Sequence, residues 1–194
     1  MMPMLVRPKG VGRTLGLIIC LLIGLITPAA ADPLREAITA TGGNVIFMRH
    51  ALAPGYGDPD HFSVDDCSTQ RNLDSRGIAQ AEATGAWLRQ RGYRFDAIDS
   101  SAWCRCKDTA THLGLGPWRV FDGLNSFFQG HVDRSQTLRL LETRLNSIAA
   151  DQQVLMVTHQ VVISAVTGIA PPSGGLVVYN PVTGAARAVR LDLD

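Results

Sequence analysis

Short apolar blocks alternate along the chain with longer segments in which apolar residues recur every three or four positions. The short blocks are rich in branched residues, as buried strands are, and lie at 44–48, 95–100 and 153–158. The longer segments have helical spacing and lie at 74–91, 105–113 and 135–149. Strands that alternate with helices in this order predict an α/β fold with a mainly parallel sheet.

The remaining pattern completes one domain over residues 32–194. Further elements predicted from it are helices at 33–39 and 161–167, a strand at 118–121, and a closing antiparallel pair at 176–179 and 186–191. A long segment at 51–73, with two prolines and two glycines, has no regular pattern. Irregular loops of this length in compact domains are usually functional.

The first 31 residues have the composition of a secretory signal peptide. Arg7, Lys9 and Arg13 are followed by an uncharged apolar run at 15–26 and by three alanines that precede Asp32. The run is shorter than the roughly 20 residues that cross a bilayer, so a retained membrane anchor is the less favoured interpretation. The sequence thus predicts a periplasmic or secreted protein with no membrane attachment in its mature form.

Composition narrows the possible functions. The chain has 194 residues, of which 46% are hydrophobic, and its 18 basic and 17 acidic residues nearly cancel. This composition is typical of a folded globular domain rather than a disordered chain. A nucleic-acid-binding domain normally carries a clear basic excess, so no nucleic acid is expected as a partner.

Three cysteines follow the predicted signal peptide: Cys67, Cys104 and Cys106. In an oxidising compartment Cys67 can pair with Cys104 or with Cys106, whereas a bridge between Cys104 and Cys106 would be strained. A metal site built from Cys104 and Cys106 with His61 or His112 is the alternative. Its spacing matches no common zinc pattern, and the sequence therefore predicts no metal.

Basic side chains follow three of the predicted strands. Arg49 and His50 come directly after the strand at 44–48, Arg105 follows the strand that ends at Ser100, and His159 follows the strand that ends at 158. Ligands of open α/β sheets bind at the carboxyl ends of the strands. Arginine forks match phosphate oxygens, and an imidazole can attack phosphorus. The four residues therefore predict a phosphate site.

Four segments together resemble the motifs of the histidine phosphatase superfamily, which has the phosphoglycerate mutase-like fold. They occur in the order of the family and span most of the chain after residue 45. The segments are Phe47-Met48-Arg49-His50, Leu73-Asp74-Ser75-Arg76-Gly77-Ile78-Ala79-Gln80-Ala81, Ser100 to Ala110 and Val157-Thr158-His159.

The resemblance implies a three-layer α/β/α sandwich and a role for each predicted site residue. His50 would become phosphohistidine, Arg49 and Arg105 would clamp the phosphoryl oxygens, and His159 would bind phosphate as a cation. A cationic His159 implies highest activity on the acid side of neutral, since the ordinary histidine pKa is about 6.5. No cofactor is implied.

The chain departs from the family pattern at the general acid. Many members carry a Glu in a Leu-x-Glu segment after the third strand, and residues 124–128 read Leu-Asn-Ser-Phe-Phe instead. Gln160 stands where the other branch of the family has Asp, and Ala51 replaces the glycine of the first motif. Three loop carboxylates could replace the missing acid: Asp58, Asp60 and Asp133.

The sequence therefore predicts a metal-independent phosphatase that acts on a phosphomonoester or a phosphohistidine through His50. Its partner would be a small phosphorylated substrate or a phosphosugar of the bacterial envelope. The alternative is a non-catalytic phosphate-binding protein that keeps the cationic pocket. Other residues are interpreted as structural: His61, His112 and His131 as surface or loop residues, Trp87 and Leu88 as packing, and Phe127 and Phe128 as either pocket wall or core.

Overall fold

The computed structural model describes residues 32–193, together with Met1 and Met4. The remainder of the predicted signal peptide lies outside the described residues. Six strands form one sheet, and their bounds are β1 Val45–Arg49, β2 Ala97–Ser100, β3 Arg119–Val120, β4 Val154–Thr158, β5 Leu176–Tyr179 and β6 Ala186–Val189. Their spatial order is β3-β2-β4-β1-β5-β6.

The sheet is mainly parallel, as predicted. Strands β3, β2, β4 and β1 run parallel to one another, whereas β5 is antiparallel to β1 and β6 is antiparallel to β5. In the pairing of β1 with β4, Arg49 lies opposite Thr158. The residues that follow these two strands therefore emerge side by side.

Five α-helices complete the domain, and their bounds are α1 Pro33–Thr41, α2 Ser75–Gln90, α3 Cys104–Leu113, α4 Arg134–Asn146 and α5 Gln160–Thr167. The side chain of Asp74 caps α2 by accepting a hydrogen bond from the Gly77 amide at 2.9 Å. Helix α4 ends three residues before the predicted bound, and the Ser147 hydroxyl donates to the Arg144 carbonyl at its C-terminus. Every helix within 32–193 is too short or too polar to span a bilayer.

Helices cover both faces of the sheet and confirm the three-layer sandwich. Successive strand side chains point to opposite faces, so Ile46 and Met48 pack against α1, α2 and α3. Val45 and Phe47 pack on the opposite face, which α4 and α5 cover. Trp87 and Leu88 are buried in the first of these layers, and their predicted packing role is confirmed.

A buried carboxylate links the edge of the sheet to α4. Asp99 on β2 is fully buried, and its two oxygens lie 2.7 Å from the Arg119 Nε and 3.0 Å from the Arg144 Nε. Burial of an unpaired carboxylate would cost folding free energy. Here two arginines, which are permanently charged, pair with the carboxylate and offset that cost. The pairs join β3 and α4 to the centre of the domain.

Helices α2 and α3 approach each other closely at Gly85. A Cβ atom at this position would lie 1.9 Å from the Leu113 carbonyl oxygen, which is main chain and cannot move independently. Glycine is therefore required here by contact between helices, although the backbone of the residue is ordinary helix.

We expect Gly85→Ala to destabilise the fold by about 1–3 kcal/mol because the added methyl group overpacks the α2–α3 contact. Helix propensity alone predicts the opposite sign, a gain of about 1 kcal/mol. Urea denaturation of the variant measures the difference. Ala79→Gly, at an exposed position of the same helix, is the control and should cost only about 0.5–1 kcal/mol. A stabilised Gly85→Ala variant would contradict the contact.

Candidate active site

The four predicted site residues line one cavity of about 210 Å³. His50 and His159 follow β1 and β4, which are neighbours, and the His50 amide donates to the Thr158 carbonyl at 2.9 Å. The two imidazole rings lie 5.5 Å apart between centroids. Arg49 ends β1, and Arg105 lies in the first turn of α3. The structure thus brings all four together at the carboxyl ends of the parallel strands.

The ring of His50 has one nitrogen available for chemistry. Its Nδ1 lies 2.8 Å from the Ala51 carbonyl oxygen, which only accepts hydrogen bonds, so Nδ1 carries the proton. Burial, and secondarily the charge of Arg105, lowers the pKa of His50 to about 3. The imidazole is therefore neutral near pH 7, with the lone pair on Nε2.

His159 is held by a buried hydrogen-bond chain. The Ser101 hydroxyl donates to the Asn125 Oδ1 at 3.1 Å, so His159 Nε2, at 2.9 Å, donates to the Ser101 Oγ. Burial, followed by the charge of Arg105, holds the pKa of His159 well below its ordinary value. The prediction of a cationic His159 is therefore wrong near pH 7, and it gives no reason to expect highest activity in acid.

Arg105 is held by a carboxylate that the sequence analysis proposed for another role. Its Nη1 and Nη2 lie 2.7 and 3.1 Å from the two Asp58 oxygens, and both side chains are buried. The indole of Trp103 and the amide of Arg71 also donate to this carboxylate. Burial opposes ionisation of Asp58, but the hydrogen bonds and charge of Arg105 bring its pKa below the ordinary value.

Arg71 is a third arginine of the cavity and was not predicted. It lies in the irregular segment, two residues before the motif that begins at Leu73. That position beside a family motif is the sequence signal that could have identified it. Its guanidinium donates to the carbonyls of Gly57 and Ala53. Burial, and then the charge of Arg105, lowers the pKa of Arg71.

Two positive charges of the cavity form no ion pair with any residue that the structure describes. Arg49 donates from Nη1 to the Pro171 carbonyl at 3.1 Å, and its buried Nε bonds to no other described atom. Neither Arg49 nor Arg71 forms a salt bridge within the described part of the chain, whereas Asp58 neutralises Arg105. The cavity therefore has the charge that complements a phosphoryl dianion.

None of the three candidate carboxylates replaces the missing acid. Asp58 is an anion that forms a buried salt bridge with Arg105. Neither Asp60 nor Asp133 lines the cavity. Asp133 caps α4 by accepting from the Gln136 amide at 2.7 Å. No Asp or Glu of residues 32–193 lines this cavity. Ser126, at the place of the expected Glu, and Gln160 line it instead.

The cysteine alternatives are decided by the structure. Cys67 and Cys104 form a disulfide, and Cys106 is free and buried. Burial raises the pKa of the Cys106 thiol to about 12, which keeps it protonated. The bridge removes Cys104 from any metal site, and within the described ranges no group of three or more His, Cys, Asp or Glu is arranged to hold a metal ion.

The remaining candidates separate into structural and cavity residues. His112 lies 3.1 Å from a Glu82 oxygen at the surface, and the half-buried ring of His131 packs against Phe62 at 4.2 Å between centroids. Phe127 packs against the core on the side of α4 and α5, whereas Phe128 lines the cavity. Of the two predicted roles, Phe127 therefore belongs to the core and Phe128 to the pocket wall.

Comparison with known proteins identifies the family of this chain and proteins that share its fold. The chain is similar to an uncharacterized protein of Mycobacterium leprae, with 29% identity over 121 residues that cover 61% of this chain and 68% of that protein. It resembles the structure of a candidate phosphohistidine phosphatase from Agrobacterium tumefaciens, with 24% identity, a TM-score of 0.52, and coverage of 75% of this chain and 95% of that one.

A candidate alpha-ribazole-5'-phosphate phosphatase from Escherichia coli K-12 gives a TM-score of 0.54 at 18% identity, with coverage of 76% of this chain and 96% of that one. At these identities the two structures show a shared fold. The family model of the histidine phosphatase superfamily (branch 1) matches residues 45–144, which include Arg49, His50 and Arg105. The chain therefore belongs to the histidine phosphatase superfamily.

Proposed function

We propose that this protein is a phosphatase that hydrolyses phosphomonoesters through a phosphohistidine at His50. The observation that carries the proposal is a neutral imidazole whose Nε2 lone pair is available, beside two arginines that form no salt bridge within residues 32–193. Membership of the superfamily supports a phosphatase function in general. The geometry supports the specific use of His50.

The reaction proceeds in two displacements. The Nε2 lone pair of His50 forms a bond to phosphorus, and the bond from phosphorus to the leaving oxygen breaks with its electron pair on that oxygen. Water then attacks phosphorus, the phosphorus–nitrogen bond breaks, and phosphate leaves with His50 neutral again. The water supplies one proton to the leaving group and its oxygen to phosphate.

In the proposed mechanism the arginines stabilise both displacements, and no bound metal takes part. Arg49 and Arg71 compensate the charge of the phosphoryl oxygens, and Arg105 is held in place by Asp58. His159 lines the same cavity, and because its Nε2 donates to Ser101, Nδ1 is its remaining ring nitrogen. The disulfide supports the proposed export to an oxidising compartment.

The leaving group receives little help from this cavity. General acid catalysis typically contributes about 10²- to 10⁴-fold, and no described carboxylate is placed to supply it. The proposal therefore favours substrates whose leaving groups are weak bases. An aryl phosphate has such a leaving group. A phosphohistidine, the substrate class in the description of the A. tumefaciens protein, has one as well.

We expect His50→Asn to abolish release of phosphate from 4-nitrophenyl phosphate, because the amide cannot accept the phosphoryl group. Hydrolysis by the mature protein in excess chelator is measured from the absorbance of nitrophenolate. His61→Asn, an exposed loop variant, is the matched control and should keep full activity. Acid-labile, alkali-stable labelling of the wild type but not of His50→Asn would identify the intermediate.

Three outcomes would contradict this proposal. Full activity in the His50→Asn variant would exclude His50 as the nucleophile. Binding of phosphate by calorimetry without turnover of any ester would instead support the non-catalytic alternative. Loss of activity in chelator would exclude metal-independent hydrolysis.

We expect kcat/KM, which reports ionisation of the free enzyme, to change by less than about twofold between pH 8 and pH 6, because a nucleophile with a lowered pKa stays unprotonated throughout this range. A histidine of ordinary pKa, about 6.5, would be mostly protonated at pH 6 and would lower kcat/KM about fourfold. Initial rates with 4-nitrophenyl phosphate well below its KM give kcat/KM directly. An acid limb with its midpoint near 6.5 would show that the nucleophile is not shielded.

A further inference from the structure

The mouth of the cavity has an exposed aromatic residue that the phosphoryl chemistry does not use. Tyr56 is 88% exposed and lies between two glycines with positive φ, Gly55 and Gly57. Its ring meets that of Phe128 edge to face, with centroids 5.2 Å apart and planes at 84°. Both residues line the cavity, and we call them the aromatic pair.

A side-chain amide fastens the two loops that carry the aromatic pair. Gln129 accepts a hydrogen bond from the Asp58 amide at 2.7 Å and donates one to the Asp58 carbonyl at 3.2 Å. It does so from a φ of 64°, the only positive φ at a non-glycine residue among those the structure describes. Gly57 has a φ of 67°, which favours glycine, and a Cβ there would also lie 2.7 Å from the Gln129 Oε1.

The same contacts connect the aromatic pair to the phosphate-binding arginines. The backbone of Asp58 is bonded to Gln129, and its carboxylate is bonded to Arg105. Arg71 donates to the Gly57 carbonyl at 2.9 Å. The position of the Tyr56 loop relative to the arginines is therefore set by hydrogen bonds at two consecutive residues, Gly57 and Asp58.

We propose that the aromatic pair is a leaving-group subsite that selects phosphate esters of planar aromatic alcohols, an inference that rests on the proposed phosphatase function. The proposal places the phosphoryl group on Arg49 and Arg71 and the leaving group against Tyr56 and Phe128, which line the same cavity. A planar ring there contacts the faces and edges of Tyr56 and Phe128. Val161 adds apolar wall on the same cavity.

The leaving-group chemistry favours the same class of substrate independently. When the Nε2 of His50 bonds to phosphorus, the electron pair of the breaking bond stays on the leaving oxygen. An aryl oxide spreads that charge over its ring, whereas an alkoxide needs a proton that no described carboxylate of the cavity can supply. An aromatic mouth and the missing acid thus select one kind of ester.

Two esters with equal leaving-group basicity separate recognition from reactivity. We expect kcat/KM for phenyl phosphate to exceed, about tenfold, that for a fluorinated alkyl phosphate whose alcohol has the pKa of phenol. Tyr56→Leu and Phe128→Leu should each lower the value for phenyl phosphate about 3- to 10-fold and leave that for the alkyl ester nearly unchanged. Tyr56→Phe keeps the ring and should keep the preference.

Val182→Ala, at an apolar residue that is exposed elsewhere on the surface, controls for loss of exposed apolar area. Equal kcat/KM for the two esters in the wild type would overturn the subsite and leave the phosphatase proposal intact. Faster turnover of a hexose phosphate than of phenyl phosphate would overturn it in favour of a sugar ester.

Binding of phosphonates tests the subsite even without turnover. We expect calorimetry to give about 3- to 10-fold tighter binding of phenylphosphonate than of cyclohexylphosphonate, which has similar size but no planar ring, and Phe128→Leu should remove the difference. Equal affinities in the wild type would overturn the subsite. A retained preference in a protein that hydrolyses no ester would refute the phosphatase proposal and support the subsite alone.

Discussion

The buried ion pair of Arg105 and Asp58 determines how the cavity is built. An unpaired buried arginine or aspartate would carry a large desolvation cost, so each requires the other. Because Asp58 lies in the irregular segment and Arg105 in α3, the pair also joins a loop to a helix beside the strand ends. It removes one positive charge and leaves Arg49 and Arg71 to complement a dianion.

The sheet supplies the second constraint. His50 and His159 are far apart in sequence, yet β1 and β4 are parallel neighbours whose last residues, Arg49 and Thr158, pair directly. The two imidazoles must therefore emerge next to each other, in a region where burial and cationic neighbours keep both rings neutral. A neutral, oriented imidazole is suited to nucleophilic attack, and a protonated one is not.

The alternation of strand and helix patterns was sufficient to predict a mainly parallel sheet and the convergence of Arg49, His50, Arg105 and His159, because residues after parallel strands must share an edge. The helical layers on both faces of the sheet were implied by the family resemblance. The same reasoning could not place Arg71, Asp58 or Tyr56, whose positions depend on the conformation of a long loop without periodicity. Protonation of His159 was mispredicted because burial and the charge of distant residues are not visible in local sequence.

The Cys67–Cys104 disulfide has a consequence for the motions of the domain. It encloses α2 and β2 in a covalent ring and attaches the segment that carries Arg71 to the first turn of α3. A surface loop of such length would ordinarily fray on its own, with amide exchange faster than that of the core. Here the loop and the start of the helix are constrained to open to solvent as one cooperative unit, so fluctuations of the loop are coupled to those of the arginine beside Cys104.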